Sequence, residues 1–144
     1  GVGTVIMHML GEPKTMQMSP HYEDVVKDIR AFLEDRAKAA IAAGVAAEAI
    51  AVDPGIGFGK TLEHNVELIR RLDAFVSLGY PVVIGVSRKS FLGKLGAGAP
   101  GGRLVGSIAA ATAAVAHGAH VVRAHDVAET VRAMRVADAL VRNP

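Results

Sequence analysis

The sequence predicts an α/β fold with a parallel sheet, and three observations predict it. Four times along the chain a short apolar run leads into a polar loop and then into a segment of helical periodicity. The apolar runs are continuous instead of alternating, as expected for strands covered on both faces. The unit recurs about every 35 residues, the length of a strand plus a returning helix, with no linker or low-complexity tract between units. Composition agrees: 51% of residues are hydrophobic, mostly Ala, Val and Leu, and only 4% are aromatic.

Each unit can be read in order. Thr4–Met9 forms the first strand run and ends in the polar loop Gly11-Glu-Pro-Lys-Thr. Asp24 to Ala43 has helical spacing, with Val25, Ile29, Phe32, Arg36 and Ala40 on one face and Gly44 as its stop. Ala49–Val52 is the second strand run, followed by the Gly-rich loop Asp53-Pro-Gly-Ile-Gly-Phe-Gly-Lys. A helix from Leu62 to Leu78 aligns Leu62, Val66, Ile69, Leu72 and Val76, with Gly79 beyond it. Pro81–Val86 is the third strand, and Arg103–His117 is the third helix, with Leu104, Ile108, Ala111 and Val115 in register. His120–Ala124 is the fourth strand, and Val127–Val141 the fourth helix, whose stripe is Val127, Val131, Met134 and the ill-fitting Asp138. Gly93–Gly102, rich in Gly and Ala, is expected to be a mobile loop.

Bulk properties narrow the function. Net charge is +2 with acids and bases interleaved, so no basic face for nucleic acid is expected. No apolar stretch approaches the roughly 18 residues that a membrane span needs. Cysteine is absent, which excludes disulfides and thiolate metal sites and suits a reducing, cytoplasmic setting. The chain opens on Gly1-Val-Gly-Thr-Val-Ile, with neither Met nor a signal-peptide pattern; it is expected to begin in mid-domain.

Parallel βα folds place their chemistry at the carboxyl ends of the strands. All four strand ends here are polar: Met7-His8-Met9, Asp53 to Lys60, Ser87-Arg-Lys-Ser and Arg123-Ala-His-Asp. Facing one axis, they bring a carboxylate, a lysine, an arginine and a histidine to one concave site. Asp53 before Pro54 is either a site carboxylate or a turn former. Of Arg88 and Lys89, one is expected to point away into an ion pair. Arg123 and His125, two apart and hence on one face, make either an anion clamp or a packing pair. Phe58 is a ligand platform or a plug over the barrel, and Met7 and Met9 fit a core as well as a pocket. His8, His21, His64, His117 and His120 lack metal-ligand spacing and are read as structural or solvated. Pro54 to Thr61 nearly fits the phosphate-cradling G-x-x-x-x-G-K-[ST] loop. Proline at its first position, however, can neither take positive φ nor offer an amide. No later strand ends in the Asp that such a site needs, so a nucleotide triphosphatase is set aside.

Taken together, Met7-His-Met-Leu-Gly-Glu-Pro-Lys-Thr-Met-Gln, Asp53-Pro-Gly-Ile-Gly-Phe-Gly-Lys-Thr, Gly85-Val-Ser-Arg-Lys-Ser-Phe-Leu-Gly, Arg103-Leu-Val-Gly-Ser and Arg123-Ala-His-Asp-Val closely resemble the dihydropteroate synthase family. The resemblance runs through essentially the whole chain, in the family's order and spacing. It implies the C-terminal four βα units of a (β/α)₈ barrel, one pterin-binding domain over 1–144. A complete barrel takes about 250 residues, so the N-terminal βα units are expected to be absent. The implied reaction condenses 6-hydroxymethyl-7,8-dihydropterin pyrophosphate with 4-aminobenzoate and releases pyrophosphate. By position, Asp53 takes the pterin's ring NH and amino groups. Lys89 donates to the pterin and lines the aminobenzoate pocket with its stem. Arg123 covers the pterin face and, with His125, holds the leaving pyrophosphate. Phe58 and Ser90 border the aminobenzoate site, and Gly85 and Met7 form the pterin pocket's floor and wall.

The resemblance also implies Mg²⁺ carried on the substrate pyrophosphate, its Asn ligand lying in the absent half; no metal ligand is assigned within this chain. Sulfonamide competition at the aminobenzoate pocket and a homodimer through the later helices follow in the same way, as does association with the missing half. The polypeptide alone is expected to have little or no synthase activity. Alternatives sharing the pattern are a pterin-dependent methyltransferase, which needs Asp53 but not the anion clamp, a catalytically silent paralogue and a purely structural half-barrel.

Overall fold

The computed structural model describes residues 2–99 and 102–141. Its elements in chain order are β1 (Thr4–Met7), α1 (Val25–Ala42), β2 (Ile50–Asp53), α2 (Leu62–Arg70), α3 (Asp73–Val76), β3 (Val83–Ile84), α4 (Ser90–Lys94), α5 (Leu104–Ala116), β4 (Val121–Val122) and α6 (Val127–Val141). β1 pairs with β2 in parallel, Thr4 opposite Ile50 through Met7 opposite Asp53. β3 pairs with β4, also in parallel, and a parallel Val52–Val82 bridge joins the two pairs. The strands therefore lie in chain order, each carboxyl end on the same side. This is the four-unit parallel α/β arrangement of half a (β/α)₈ barrel.

The core lies between the sheet and its covering helices. Ile29 and Leu33 of α1, Leu68 of α2, Leu72, Phe75 of α3, Val52, Val82 and Ile84 are all completely buried. α1 starts where Asp24 Oδ1 accepts from the backbone N–H groups of Val26 and Lys27, both at 3.0 Å, using two of the donors that a helix start leaves unpaired. α2 starts with a reciprocal cap: Thr61 Oγ1 accepts from His64 N and His64 Nδ1 accepts from Thr61 N, each at 3.2 Å. A histidine here fills the place usual for Glu or Gln.

The structure corrects several expected details. The buried stripe of α1 is Val25, Val26, Ile29, Leu33 and Ala37; Phe32 is 38% exposed and Arg36 is exposed. In α6 the buried residues are Thr130 and Ala137, while Val127 and Val131 face outward. In each case an equally regular i, i+4 row lies beside the expected one, and packing chose between them. The single helix expected from Leu62 to Leu78 is two, α2 and α3. Arg71 closes the first and reaches Asp24 at the start of α1, at 3.7 Å. The intervening turn lets Leu72 and Phe75 both enter the core. β1, β3 and β4 are shorter than their apolar runs because the ends of those runs turn into the site loops. Finally, the Gly93–Gly102 loop begins later than expected: Gly93 and Lys94 end α4, while Pro100 and Gly101 lie outside the described residues. Gly1, where the chain opens, is outside them as well.

Candidate functional site

The parallel register carries Met7 and Asp53 to the same level at the ends of β1 and β2. Asp53 is only 2% exposed. One of its oxygens accepts from Gly55 N at 2.7 Å and the other faces the Arg123 guanidinium at 3.4 Å. Burial raises the Asp53 pKa above the usual carboxylate range, opposed by the Gly55 N–H and by Lys89, Arg123 and Lys60. Arg123 comes from the loop after β4 and keeps most of its own surface in solvent. It lies flat across β3 because residue 85 is glycine: a Cβ there would sit 2.9 Å from Arg123 Nη2.

Two adjoining clefts share Arg123. One, of about 280 Å³, is lined by Val5, Met7, Asp53, Val83 and Arg123. The other, of about 170 Å³, is lined by Phe58, Gly85, Ser87, Lys89, Arg123 and His125, with Ala124 between the last two. Lys89 lines the smaller cleft, its Nζ 4.4 Å from the centre of the Phe58 ring and donating to Ile56 O. Burial lowers its pKa to about 8, with Asp53 resisting and Arg123 assisting, so it remains mostly charged at neutral pH. Met7, Asp53, Phe58, Gly85, Lys89, Arg123 and His125 are thus brought together. Ser90 is not among the residues lining either cleft; it opens α4 and is exposed.

The neighbouring basic residue turns away, as the sequence suggested for one of the pair. Arg88 forms an ion pair with Asp126, Nε to Oδ2 at 3.1 Å. It also adopts φ +58, a strained geometry for a non-glycine residue. Ser107 Oγ accepts from Arg88 N at 2.9 Å and Arg103 Nη1 donates to Arg88 O at 3.1 Å. These contacts hold the turn that points Ser87 and Lys89 inward.

A phosphate cradle needs free amides directed at the ligand, and three amides of the Gly-rich loop are already engaged. The Gly55 N–H goes to Asp53, the Gly57 N–H to Asn65 Oδ1 at 2.7 Å, and the Phe58 N–H to Gly55 O at 3.1 Å. Its four successive carbonyls accept from side chains: Ile56 O from Lys89, Gly57 O from Gln17 at 2.5 Å, Phe58 O from Lys60 at 2.8 Å and Gly59 O from Tyr22 at 2.8 Å. The loop is therefore held by Lys89, Gln17 and Tyr22 from outside as well as by its own lysine. Lys60, the lysine of the near-motif, is 4% exposed and lies 3.1 Å from His8 Nδ1. Burial lowers Lys60 to about 7 and, with Lys60 beside it, His8 to about 4.

Sequence reasoning missed Lys60, Asn65, Gln17 and Tyr22 because their role is to hold the loop backbone, which no short motif reports. It read His8, His64 and His120 as structural or solvated; the structure gives each a structural contact, His120 accepting from Val82 N at 3.1 Å. Among the described residues no group of three or more metal-ligating side chains converges.

Known proteins resemble this chain in sequence and in fold. A family model described as pterin binding enzyme matches residues 1–125. The dihydropteroate synthase of Neisseria meningitidis serogroup C is 50% identical over 140 residues, covering 96% of this chain and 50% of that protein. The Yersinia pestis dihydropteroate synthase, solved with a sulfonamide drug, superposes with a TM-score of 0.92 at 43% identity over 94% of this chain and 50% of that one. The Thermus thermophilus enzyme, solved with 4-aminobenzoate and separately with 6HMPPP, gives a TM-score of 0.88 at 47% and 46% identity. Those matches cover 94% of this chain and 56% and 54% of the solved ones. The chain spans about half the length of the curated relatives it matches.

Proposed function

This chain belongs to the family of pterin-binding enzymes, and on that premise we propose that it forms part of a dihydropteroate synthase of folate biosynthesis, a transferase joining a pterin pyrophosphate to 4-aminobenzoate. The observation that carries the reading is the pairing of a buried carboxylate, Asp53, with the largely solvated Arg123 guanidinium 3.4 Å away, at the meeting of two clefts. An acid faces one cleft and bases face the other, which matches a heterocycle carrying an anionic tail.

Asp53 is assigned to the pterin's ring NH and amino groups. Two donors on one buried carboxylate give a charge-assisted, two-point contact that a neutral residue cannot match. Met7 and Gly85 supply wall and floor. Lys89 donates to the pterin, exchanging its bond to Ile56 O for the substrate, while its stem and the Phe58 ring flank the arylamine; Ser90 is assigned to the outer border of that pocket. Arg123 and His125 hold the pyrophosphate. As the CH₂–O bond lengthens, positive charge develops on the pterin methylene and negative charge on the departing phosphate. Fixed cations at the phosphate end stabilise that separation without reorganising. The arylamine nitrogen then forms the new C–N bond and loses its proton to solvent.

Mg²⁺ does not fit the residues described here. The smaller cleft carries Arg123, Lys89 and His125, and the one carboxylate of the clefts, Asp53, already faces Gly55 N–H and Arg123. No step is therefore routed through a metal; any Mg²⁺ would arrive with the pyrophosphate. A homodimer through the later helices is supported by Val105 of α5 and by Val127, Val136 and Leu140 of α6, all at least 60% exposed. The cysteine-free composition accords with a cytoplasmic setting, and a sulfonamide would compete in the Phe58–Lys89 cleft.

Calorimetric titration of the full-length protein with a pterin pyrophosphate analogue tests the reading. Asp53→Ala removes two charge-assisted bonds of about 1.5–3 kcal/mol each, so affinity should drop by about a hundredfold or more; Arg123→Ala should weaken binding through the pyrophosphate. Unchanged affinity in both variants rejects the site. Loss with Asp53→Ala alone, insensitive to pyrophosphate, favours the methyltransferase group, and intact binding without turnover identifies a silent paralogue.

A further inference from the structure

Ser87 stands beside the anion-binding residues and the mechanism above does not use it. Its side chain is 7% exposed and lines the smaller cleft. Its hydroxyl oxygen accepts from the backbone N–H of His125 at 3.2 Å and lies 3.0 Å from His125 Nδ1. Among the described residues it has no other hydrogen-bond partner. A serine hydroxyl has one proton and two lone pairs, and a nearly buried hydroxyl needs an acceptor for that proton. One lone pair already serves the His125 N–H, and the acceptor within reach among the described residues is Nδ1. The neutral imidazole then carries its own proton on the outer nitrogen, Nε2.

We propose that Ser87 is a positioning residue that fixes His125 as the Nε2–H tautomer, so that its outer N–H is presented as a donor to the departing phosphate; the link to phosphate rests on the synthase reading above. The opposite tautomer would put an Nε2 lone pair toward the phosphate and leave the Ser87 proton without an acceptor. The arrangement keeps a donor on the clamp even when the ring is uncharged, beside the permanently charged Arg123. Arg88 supports it one residue away: its ion pair with Asp126 joins the two loops that carry Ser87 and His125.

The test uses full-length protein labelled with ¹⁵N-histidine and inorganic pyrophosphate as the probe. His125→Gln assigns the His125 signals by their loss. At a pH where the ring is neutral, the wild type should show a protonated Nε2 and a bare Nδ1. Ser87→Ala should give a mixture of tautomers and weaken pyrophosphate binding by about three- to tenfold, the range for one hydrogen bond. Ser87→Thr, which keeps the hydroxyl, should restore both. A wild-type ring protonated on Nδ1 overturns the proposal even if Ser87→Ala fails to fold. So does a Ser87→Ala variant with unchanged tautomer and affinity. A wild type that shows the Ser87-dependent tautomer but binds no pyrophosphate supports the positioning role and rejects the synthase reading.

Discussion

At the scale of single residues, His8 carries a pH dependence that its neighbours make readable. It is 6% exposed, with a ring edge against Phe32 and its Nδ1 beside Lys60. Its pKa falls from 6.5 to about 4, chiefly by burial. Between those pH values the unfolded chain takes up a proton that the folded chain refuses, so acid favours unfolding. The loss should begin below pH 6.5 and reach about 3 kcal/mol by pH 4. Lys60, lowered from 10.5 to about 7, acts in a separate window: it makes stability rise as pH goes from 7 to 10.5 and adds no slope below 7. His64, also lowered by burial, shares the acid window, so the informative quantity is a difference. His8→Gln should flatten the fall in Tm between pH 6.5 and 4 relative to wild type, measured by calorimetry; parallel curves would show that His8 titrates normally. The sequence made the cleft groups legible, since Asp53, Lys89, Arg123 and His125 are charged or polar residues closing apolar strands. Lys60 was hidden because a lysine in a Gly-rich loop looks like a ligand-binding lysine, and only its burial reveals the inward turn.

At the scale of elements, the Asp53–Lys60 loop depends on close backbone approach more than on helix or strand propensity. Gly55 has φ +72, and a Cβ there would lie 1.9 Å from the His8 carbonyl oxygen at the end of β1. That oxygen is backbone and cannot step aside alone. Gly79 has φ +82 but nothing within 4 Å of a built Cβ. Both substitutions to alanine incur left-handed strain of about 1–2 kcal/mol, but only Gly55→Ala also displaces β1 from the loop. Gly55→Ala should therefore cost more than about 3 kcal/mol in denaturant unfolding and Gly79→Ala about 1–2 kcal/mol; equal effects would show the β1 contact to be dispensable. Thr61→Ala, which removes half of the α2 cap, should cost about 1 kcal/mol. Element order and type were legible because period 3.6 and continuous apolar runs are strong local signals. Helix facing in α1 and α6 was not, because the apolar residues of each helix fall on more than one row of helical spacing. Two adjacent rows then satisfy the same spacing, and which one is buried depends on where the sheet lies. The helix break at Arg71 has no Gly or Pro to announce it.

At the scale of the whole molecule, the placement of the clefts decides what this polypeptide can do by itself. The strands lie in the order β1-β2-β3-β4, with the site above their carboxyl ends and Arg123, on the loop after β4, reaching across β3 toward Asp53 at the end of β2. Both clefts are small for two substrates: at about 280 and 170 Å³, they lie below or near the foot of the roughly 300–1,000 Å³ range of small-molecule sites. The outer strands keep Val5 at 55% and Val121 at 48% exposure. Paired strands ending in half-exposed valines are surfaces that a further strand or another copy covers in stable sheets. The 144-residue chain, expressed alone, should therefore self-associate with rising concentration in sedimentation velocity. It should also bind inorganic pyrophosphate more weakly than the full-length protein and form no dihydropteroate at a detectable rate. Adding the remainder of the full-length protein in trans should restore monodispersity and turnover together, because one surface would both cover the outer strands and enlarge the clefts. A chain that stays monomeric and turns over substrates alone would mean that these two clefts already constitute a complete site.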